Sequence, residues 1–126
     1  MQDFRKLQVW ARAHALALAV RRAARGFPRT GFGSLRNQMI RAAESIATNI
    51  VEGCGAESRK EFARFLEIAI KSAMELEYHL QLANDCDVIS PAVWQELSAE
   101  VIEVRRMLQG LRRRVLEADS LSRPHE

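Results

Sequence analysis

The chain has 126 residues, of which 48% are hydrophobic and 28% charged, and its formal net charge is +3. This length fits one domain of ordinary size and excludes two. The weakly basic charge permits a nucleic-acid partner without requiring one. The apolar run at residues 15–20 is too short for a membrane span or a signal-peptide core, so we expect a cytoplasmic protein that does not enter a membrane.

The first predicted helix runs from about Phe4 to Arg25, because apolar residues recur there in alternating steps of four and three. The residues on its apolar face are Val9, Ala13, Leu16, Val20, Ala23 and Phe27. Gly26, Pro28, Gly31 and Gly33 then interrupt the pattern. A loop this short returns the chain as an antiparallel neighbour.

The second predicted helix, Leu35 to Gly53, has the clearest amphipathic pattern in the chain. Its apolar face contains Phe32, Leu35, Met39, Ala43, Ile46 and Ile50. Ile40, Ala47 and Val51 widen that face beyond the seam of a two-stranded coil, so we expect this helix to contact more than one neighbour.

Two further helices follow, each with a recognisable start. Ser58 and Glu61 form a predicted capping box for the third helix, and Ser90 before Pro91 is the expected start of the fourth. The third helix carries a heptad pattern of Phe62, Leu66, Ala69, Ala73, Leu76, Leu80 and Ala83. The fourth continues with Trp94, Leu97, Val101, Val104, Leu108, Leu111 and Val115.

Four helices with short loops and no strand pattern predict an all-α, up-down-up-down four-helix bundle over residues 1–119, with a flexible tail at 120–126. This topology places Cys54 and Cys86 at opposite ends of the bundle, where they do not form a disulfide. We interpret both as reduced thiols, with Cys54 partly exposed. The alternative, a catalytic cysteine, lacks an accompanying His or Asn pattern.

A set of residues in the first three helices resembles a known family. They are Phe4-Arg5-Lys6-Leu7, Val9-Trp10, Phe27-Pro28, Gln38, Arg41-Ala42-Ala43, Ser45-Ile46, Asn49-Ile50, Glu52-Gly53, Glu61-Phe62, Phe65-Leu66, Ile68-Ala69, Ser72 and Glu75-Leu76-Glu77. The pattern is similar to that of the small four-helix bundle proteins encoded in intervening sequences of bacterial large-subunit ribosomal RNA genes. The match covers roughly Phe4 to Leu82.

The resemblance implies a cytoplasmic homopentamer without enzymatic activity. It also implies a distant relationship to the accessory protein of diversity-generating retroelements, which binds nucleic acid and a reverse transcriptase. RNA, DNA and a reverse transcriptase are therefore the partners to consider beside a second copy of the chain. Self-association is also favoured by apolar residues that lie beside the main apolar stripes of helices 2 and 3, because one bundle cannot bury them all. This apolar surplus consists of Ile40, Ala47, Val51, Phe65 and Ile68.

Catalytic, cofactor and metal motifs are not found in the sequence. A di-metal carboxylate bundle requires Glu-x-x-His on two helices, and the nearest pattern is Glu75 with His79 at a spacing of four. Phosphate-binding loops, dinucleotide fingerprints, nucleophile elbows and paired Cys-x-x-Cys motifs are also missing. We therefore expect no catalytic residue, no metal and no cofactor.

Four polar residues on the second and third helices are candidates for structural or interface roles: Arg41, Asn49, Glu52 and Glu75. The sequence predicts that they fall on or near packed faces, where an unpaired charge is costly. We expect them to pair with one another or across a subunit boundary. A ligand site is the alternative.

Basic residues gather at one end of the predicted bundle, where helix 1 and helix 3 begin and helix 4 ends. They are Arg5, Lys6, Arg59, Lys60, Arg64, Arg112, Arg113 and Arg114. The opposite end mixes Arg21, Arg22, Arg25, Arg29 and Arg36 with Asp85, Asp87 and Glu96. The first end is the candidate nucleic-acid site, although arginines near a helix C-terminus also serve its dipole.

Two functions from different classes follow. The first is a nucleic-acid or ribonucleoprotein binding module, and the second is a homo-oligomeric scaffold whose partner is another protein. Salt-dependent binding of RNA or DNA distinguishes them.

Overall fold

The computed structural model describes residues 2–122 and contains four long helices. They are α1 (Gln8–Ala24), α2 (Gly33–Cys54), α3 (Arg59–Asp85) and α4 (Pro91–Ser122). Each helix packs against the next and α1 packs against α4, while neither diagonal pair is in contact in this part of the chain. No strand occurs in residues 2–122. The predicted up-down-up-down bundle is confirmed, and none of these helices is long and apolar enough to cross a membrane.

The start of the first helix differs from the prediction. A 3-10 turn covers Phe4–Lys6, and Leu7 is extended before α1 begins at Gln8. Two polar contacts explain the break. The Asp3 carboxylate accepts the Arg5 N–H at 3.0 Å, and the Gln2 N–H donates to the Cys54 carbonyl at 3.0 Å. The second contact fixes the beginning of the chain against the end of α2, and α1 starts only after the chain has turned.

The predicted helix caps at Ser58 and Ser90 are confirmed. The Ser58 hydroxyl accepts the Glu61 N–H at 3.1 Å, and the Ser90 hydroxyl accepts the Val93 N–H at 3.2 Å. Each contact satisfies a backbone donor that has no partner within the helix. At its other end α4 continues to Ser122, three residues into the segment predicted as a tail, and residues 123–126 lie outside the described residues.

The core is formed by the apolar faces that the helical periodicity predicts. Met39, Ala43, Ile46 and Ile50 of α2 have no exposed surface, and the same holds on α3 for Leu66, Ala69, Ala73, Leu76, Leu80 and Ala83. Two of the five flank residues, Ile40 and Ala47, pack against this core within the single chain. Val51, Phe65 and Ile68 are half-buried. The apolar surplus is therefore smaller than the sequence predicts.

Helices α2 and α3 approach each other closely at Gly53. A Cβ atom on this residue would lie 2.8 Å from Cδ1 of Phe62 and 3.2 Å from Cβ of Phe65. Only a residue without a side chain fits at this separation. Gly110 in α4 is different, because a Cβ there would meet only the Arg114 guanidinium at 3.5 Å.

We expect opposite effects on stability from replacing these two glycines by alanine. Gly53→Ala overpacks the α2–α3 contact and lowers the free energy of unfolding by about 1–2 kcal/mol, even after the gain in helix propensity. Gly110→Ala raises it by about 0.5–1 kcal/mol, because alanine is the better helix former and nothing obstructs it. Chemical denaturation followed by circular dichroism measures both. Equal effects of the two substitutions would contradict the close approach at Gly53.

The two cysteines lie in different surroundings, and both are free thiols. Cys54 ends α2 and is 3% exposed, which corrects the expectation that it is partly exposed. Its burial, and next the charge of Asp3, raise the pKa of the Cys54 thiol above its ordinary value. Cys86 follows α3 and is exposed.

In the folded protein we expect iodoacetamide to alkylate Cys86 at least about tenfold faster than Cys54, because reaction requires an accessible thiolate. Mass spectrometry of a time course at pH 8 measures both rates. In denaturant the two rates should become equal. A Cys86→Ser variant that still reacts rapidly when folded would contradict the burial of Cys54.

Candidate nucleic-acid interface

One groove lies at the predicted basic end of the bundle. A groove of about 720 Å³ is lined by Gln2 from the start of the chain, Arg59 from the first turn of α3, and Arg114 and Asp119 from the end of α4. The Gln2 to Cys54 hydrogen bond adds the end of α2 to the same region. Two of the eight predicted basic residues, Arg59 and Arg114, line this groove.

Several of these cations interact within the chain. Arg5 forms an ion pair with Asp3 at 3.7 Å and lies over the Phe4 ring. Arg112 forms an ion pair with Glu67 at 3.6 Å, and its side chain is only 36% exposed. The Arg64 guanidinium lies 5.3 Å from the centre of the Phe65 ring. The side chains that extend freely into solvent are fewer than the sequence pattern indicates.

Acidic residues lie at the same end of the bundle, and the prediction from the sequence counts only the basic ones. They are Asp3, Glu52, Glu57, Glu61, Glu67, Glu117 and Asp119, placed at this end by the same topology. They nearly equal the eight cations in number. The local net charge is therefore close to zero, which weakens attraction for a polyanion.

A second groove, between α1 and α2, has a much stronger charge. It has a volume of about 590 Å³ and is lined by Arg21 and Arg25 at the end of α1, by Arg36 and Arg41 on α2, and by a single carboxylate, that of Glu44. We call this the arginine groove. Three of its arginines belong to the end that the sequence predicts to be mixed with acids. Those acids, Asp85, Asp87 and Glu96, lie at or after the end of α3 and near the start of α4, and they do not line this groove.

Within the arginine groove one cation is paired and three are not. The Arg21 Nε donates to Glu44 Oε2 at 2.6 Å, and this hydrogen bond raises the pKa of Arg21. Arg25, Arg36 and Arg41 are exposed and form no ion pair with any residue in 2–122. The groove therefore carries more positive charge than its own carboxylate balances.

The four polar candidates on α2 and α3 separate into two groups. The Asn49 amide donates to the Ser45 carbonyl at 2.8 Å and to the Ser45 hydroxyl at 3.0 Å. The Ser45 hydroxyl shares a hydrogen bond of 2.8 Å with the Ser72 hydroxyl across the α2–α3 contact. Asn49 is therefore hydrogen-bonded within α2 and is linked to α3 through Ser45, and neither partner is one that the sequence indicated.

Arg41, Glu52 and Glu75 are exposed in the single chain, so their predicted burial on packed helix faces is corrected. Helical spacing placed them beside the apolar stripe, but the neighbouring helices do not extend over that flank. Arg41 and Glu75 line a common groove of about 420 Å³ between α2 and α3. No hydrogen bond or ion pair joins Arg41, Asn49, Glu52 and Glu75 to one another in the described residues.

The described residues contain no group of three or more His, Cys, Asp and Glu side chains that could hold a metal ion. Glu75 is exposed, whereas His79 is 6% exposed and its Nδ1 has no hydrogen-bond partner within the described chain. The two residues therefore do not form a shared site on α3.

Comparison with known proteins identifies a family and a similar solved structure. A family model described as the 23S rRNA-intervening sequence protein matches residues 5–110. The crystal structure of a protein of unknown function from the S23 ribosomal protein family of Bacteroides thetaiotaomicron is similar, with a TM-score of 0.77 and 26% identity. The similarity covers 82% of this chain and 96% of that chain. No curated protein matches.

Proposed function

The chain belongs to the 23S rRNA-intervening sequence protein family, and we propose that it is a non-enzymatic, homo-oligomeric bundle that binds RNA or DNA. The observation that carries nucleic-acid binding is the cluster of arginines on the α1–α2 surface that has almost no acidic counterpart. Guanidinium groups bind phosphate oxygens through two parallel N–H donors, and they keep their charge at any physiological pH. A surface of this kind favours a polyanion.

The proposed assembly rests on apolar side chains that the single bundle leaves exposed. Leu18 on α1 is 45% exposed, and on α3 Met74 and Tyr78 are 56% and 62% exposed. Because α1 and α3 are diagonal in the bundle and do not touch, these side chains project from opposite corners. Two different patches on opposite sides are what a heterologous contact between copies requires, and such contacts form a ring when the rotation between neighbouring copies closes. The expected number of five subunits comes from the family resemblance alone.

We expect the wild-type protein to be an oligomer in solution. The variants Leu18→Lys and Tyr78→Lys should each form a smaller assembly, because each substitution introduces a cation into the contact between subunits. Mixing the two variants should produce dimers. Each variant keeps the patch that the other has lost, so one intact contact remains between them. Size-exclusion chromatography with light scattering measures all four samples.

Thr48→Lys is the matched control, since Thr48 is exposed on α2 and the substitution adds the same charge outside both patches. It should keep the wild-type size. A wild-type monomer at micromolar concentration would contradict the assembly. Two small variants that remain apart on mixing would contradict a contact between two different patches.

We expect nucleic-acid binding to weaken steeply with salt and to depend little on sequence. Each phosphate neutralised by Lys or Arg releases counterions, with a slope of log K against log salt of about −0.9 per phosphate on duplex DNA. No aromatic side chain lines the arginine groove, so bases have no stacking surface there. Fluorescence anisotropy with two labelled oligonucleotides of unrelated sequence, as RNA and as DNA, measures affinity and slope.

Absence of binding at low ionic strength would contradict the nucleic-acid proposal. The remaining candidate would then be an oligomeric scaffold that binds another protein, and the exposed apolar residues Leu18, Met74 and Tyr78 are the observation that favours it. Strong binding that differs between the two oligonucleotide sequences would contradict the sequence-independent mechanism.

A further inference from the structure

We infer that the arginine groove between α1 and α2 is the site that binds the phosphodiester backbone, and that Glu44 limits its affinity by holding Arg21. This inference rests on the proposed nucleic-acid function and specifies its location and its chemistry. It moves the contact away from the basic end where Arg112, Arg113 and Arg114 lie.

The antiparallel arrangement of α1 and α2 builds the groove. Arg21 is in the last turn of α1 and Arg25 is the C-cap four residues later, with helical backbone angles, so the two lie on one face. Arg36 begins α2, and Arg41 lies more than one turn further along it. The end of α1 meets the first half of α2, and guanidinium groups from both helices therefore border one groove.

The charge arrangement is unfavourable for the free protein and favourable for an anion. Four guanidinium groups and one carboxylate border the groove, and like charges four residues apart on a helix repel each other. The described residues supply no carboxylate for Arg25, Arg36 or Arg41. A bound phosphate would remove part of this repulsion, and the Asn37 side chain in the lining adds neutral hydrogen-bond donors.

The ligand is assigned as a polynucleotide backbone because of the shape and lining of the site. The groove is an open trough of about 590 Å³ with positive charge along both helices, which suits a series of phosphates better than one enclosed phosphate group. Phosphate contacts position a protein on nucleic acid without reading its sequence. The lining offers no aromatic ring for stacking a base.

Glu44 is the single opposing charge in the groove. Its carboxylate holds the Arg21 Nε at 2.6 Å, with side-chain exposures of 43% for Glu44 and 54% for Arg21. An exposed pair of this kind is weak, so a phosphate can compete for Arg21. The carboxylate also repels the incoming anion. Glu44 is therefore a positioning residue that sets how strongly the groove binds.

The first test reverses two unpaired charges in the groove. Arg25→Glu with Arg36→Glu should reduce affinity for a labelled 20-nucleotide RNA and for a DNA duplex of equal length by at least about tenfold at low salt. On the duplex, the slope of log K against log salt should become less negative by nearly 2, because about two phosphate contacts are lost. The matched control, Arg113→Glu with Arg114→Glu, changes the charge equally at the other end and should have little effect.

The second test compares a glutamate inside the groove, Glu44, with one outside it, Glu100. Glu44→Gln should raise the affinity about two- to threefold at low salt, because it removes a negative charge beside the phosphates. Glu100→Gln is its control. Glu100 also holds an arginine, Arg12, at 2.9 Å, but it lies on α4 outside the groove, so this variant should bind as the wild type does. Circular dichroism and light scattering should be unchanged in all four variants.

The outcomes distinguish this inference from the proposed function. If the wild type binds no nucleic acid, the proposed function fails and this inference fails with it. If the wild type binds and the groove variant binds equally well, or both double variants lose affinity equally, only the groove assignment fails. If RNA binds the wild type and the Arg25→Glu with Arg36→Glu variant equally well, while inorganic phosphate raises the melting temperature of the wild type alone, the groove binds a free phosphate group and the polynucleotide assignment is wrong.

Discussion

The close packing of α3 against α2 is the constraint on which the rest of the structure depends. At Gly53 the two helices approach so closely that a methyl group would overlap the Phe62 ring. On α3 Ala69 and Ala73 are fully buried, and so are the larger residues Leu66 and Leu76. Alternating small and large side chains let two helices interlock at high density. Because α3 also packs extensively against α4, the α2–α3 separation sets the position of three helices at once.

The hydrogen bonds between α2 and α3 add a requirement that apolar packing alone does not impose. The Ser45 and Ser72 hydroxyls bond at 2.8 Å across the contact, and Asn49 donates to Ser45 from the next turn of α2. A shift of one helix along the other by a single residue, about 1.5 Å, would break the bond between the two serines. It would leave Ser72, which is 8% exposed, with an unsatisfied hydroxyl at a cost of about 1–3 kcal/mol. This polar contact therefore fixes the register, while Gly53 permits the close distance.

Periodicity predicted the features that depend on one helix and failed where several segments meet. The four helices, the caps at Ser58 and Ser90 and the buried faces follow from local spacing, and all were predicted. The start of α1 was not, because the 3-10 turn before it depends on a contact between Gln2 and Cys54, which are far apart in the sequence. The exposure of Arg41 and Glu75 was missed for a related reason. Spacing assigns a residue to a helix face, but only the neighbouring helix decides whether that face is covered.

The charge distribution illustrates the same limit at the level of the candidate site. The sequence prediction counted the cations at one end of the bundle and not the nearly equal number of acids there, whereas the arginine groove depends on which way α1 and α2 are rotated. The location of the groove is physically reasonable. Repulsion between exposed arginines costs only a few tenths of a kcal/mol per pair in water. The α2–α3 and α3–α4 contacts are more extensive than the α1–α2 contact, and they stabilise the bundle away from the groove. Unbalanced charge can therefore lie along α1 and α2 without disturbing the contact that determines the fold.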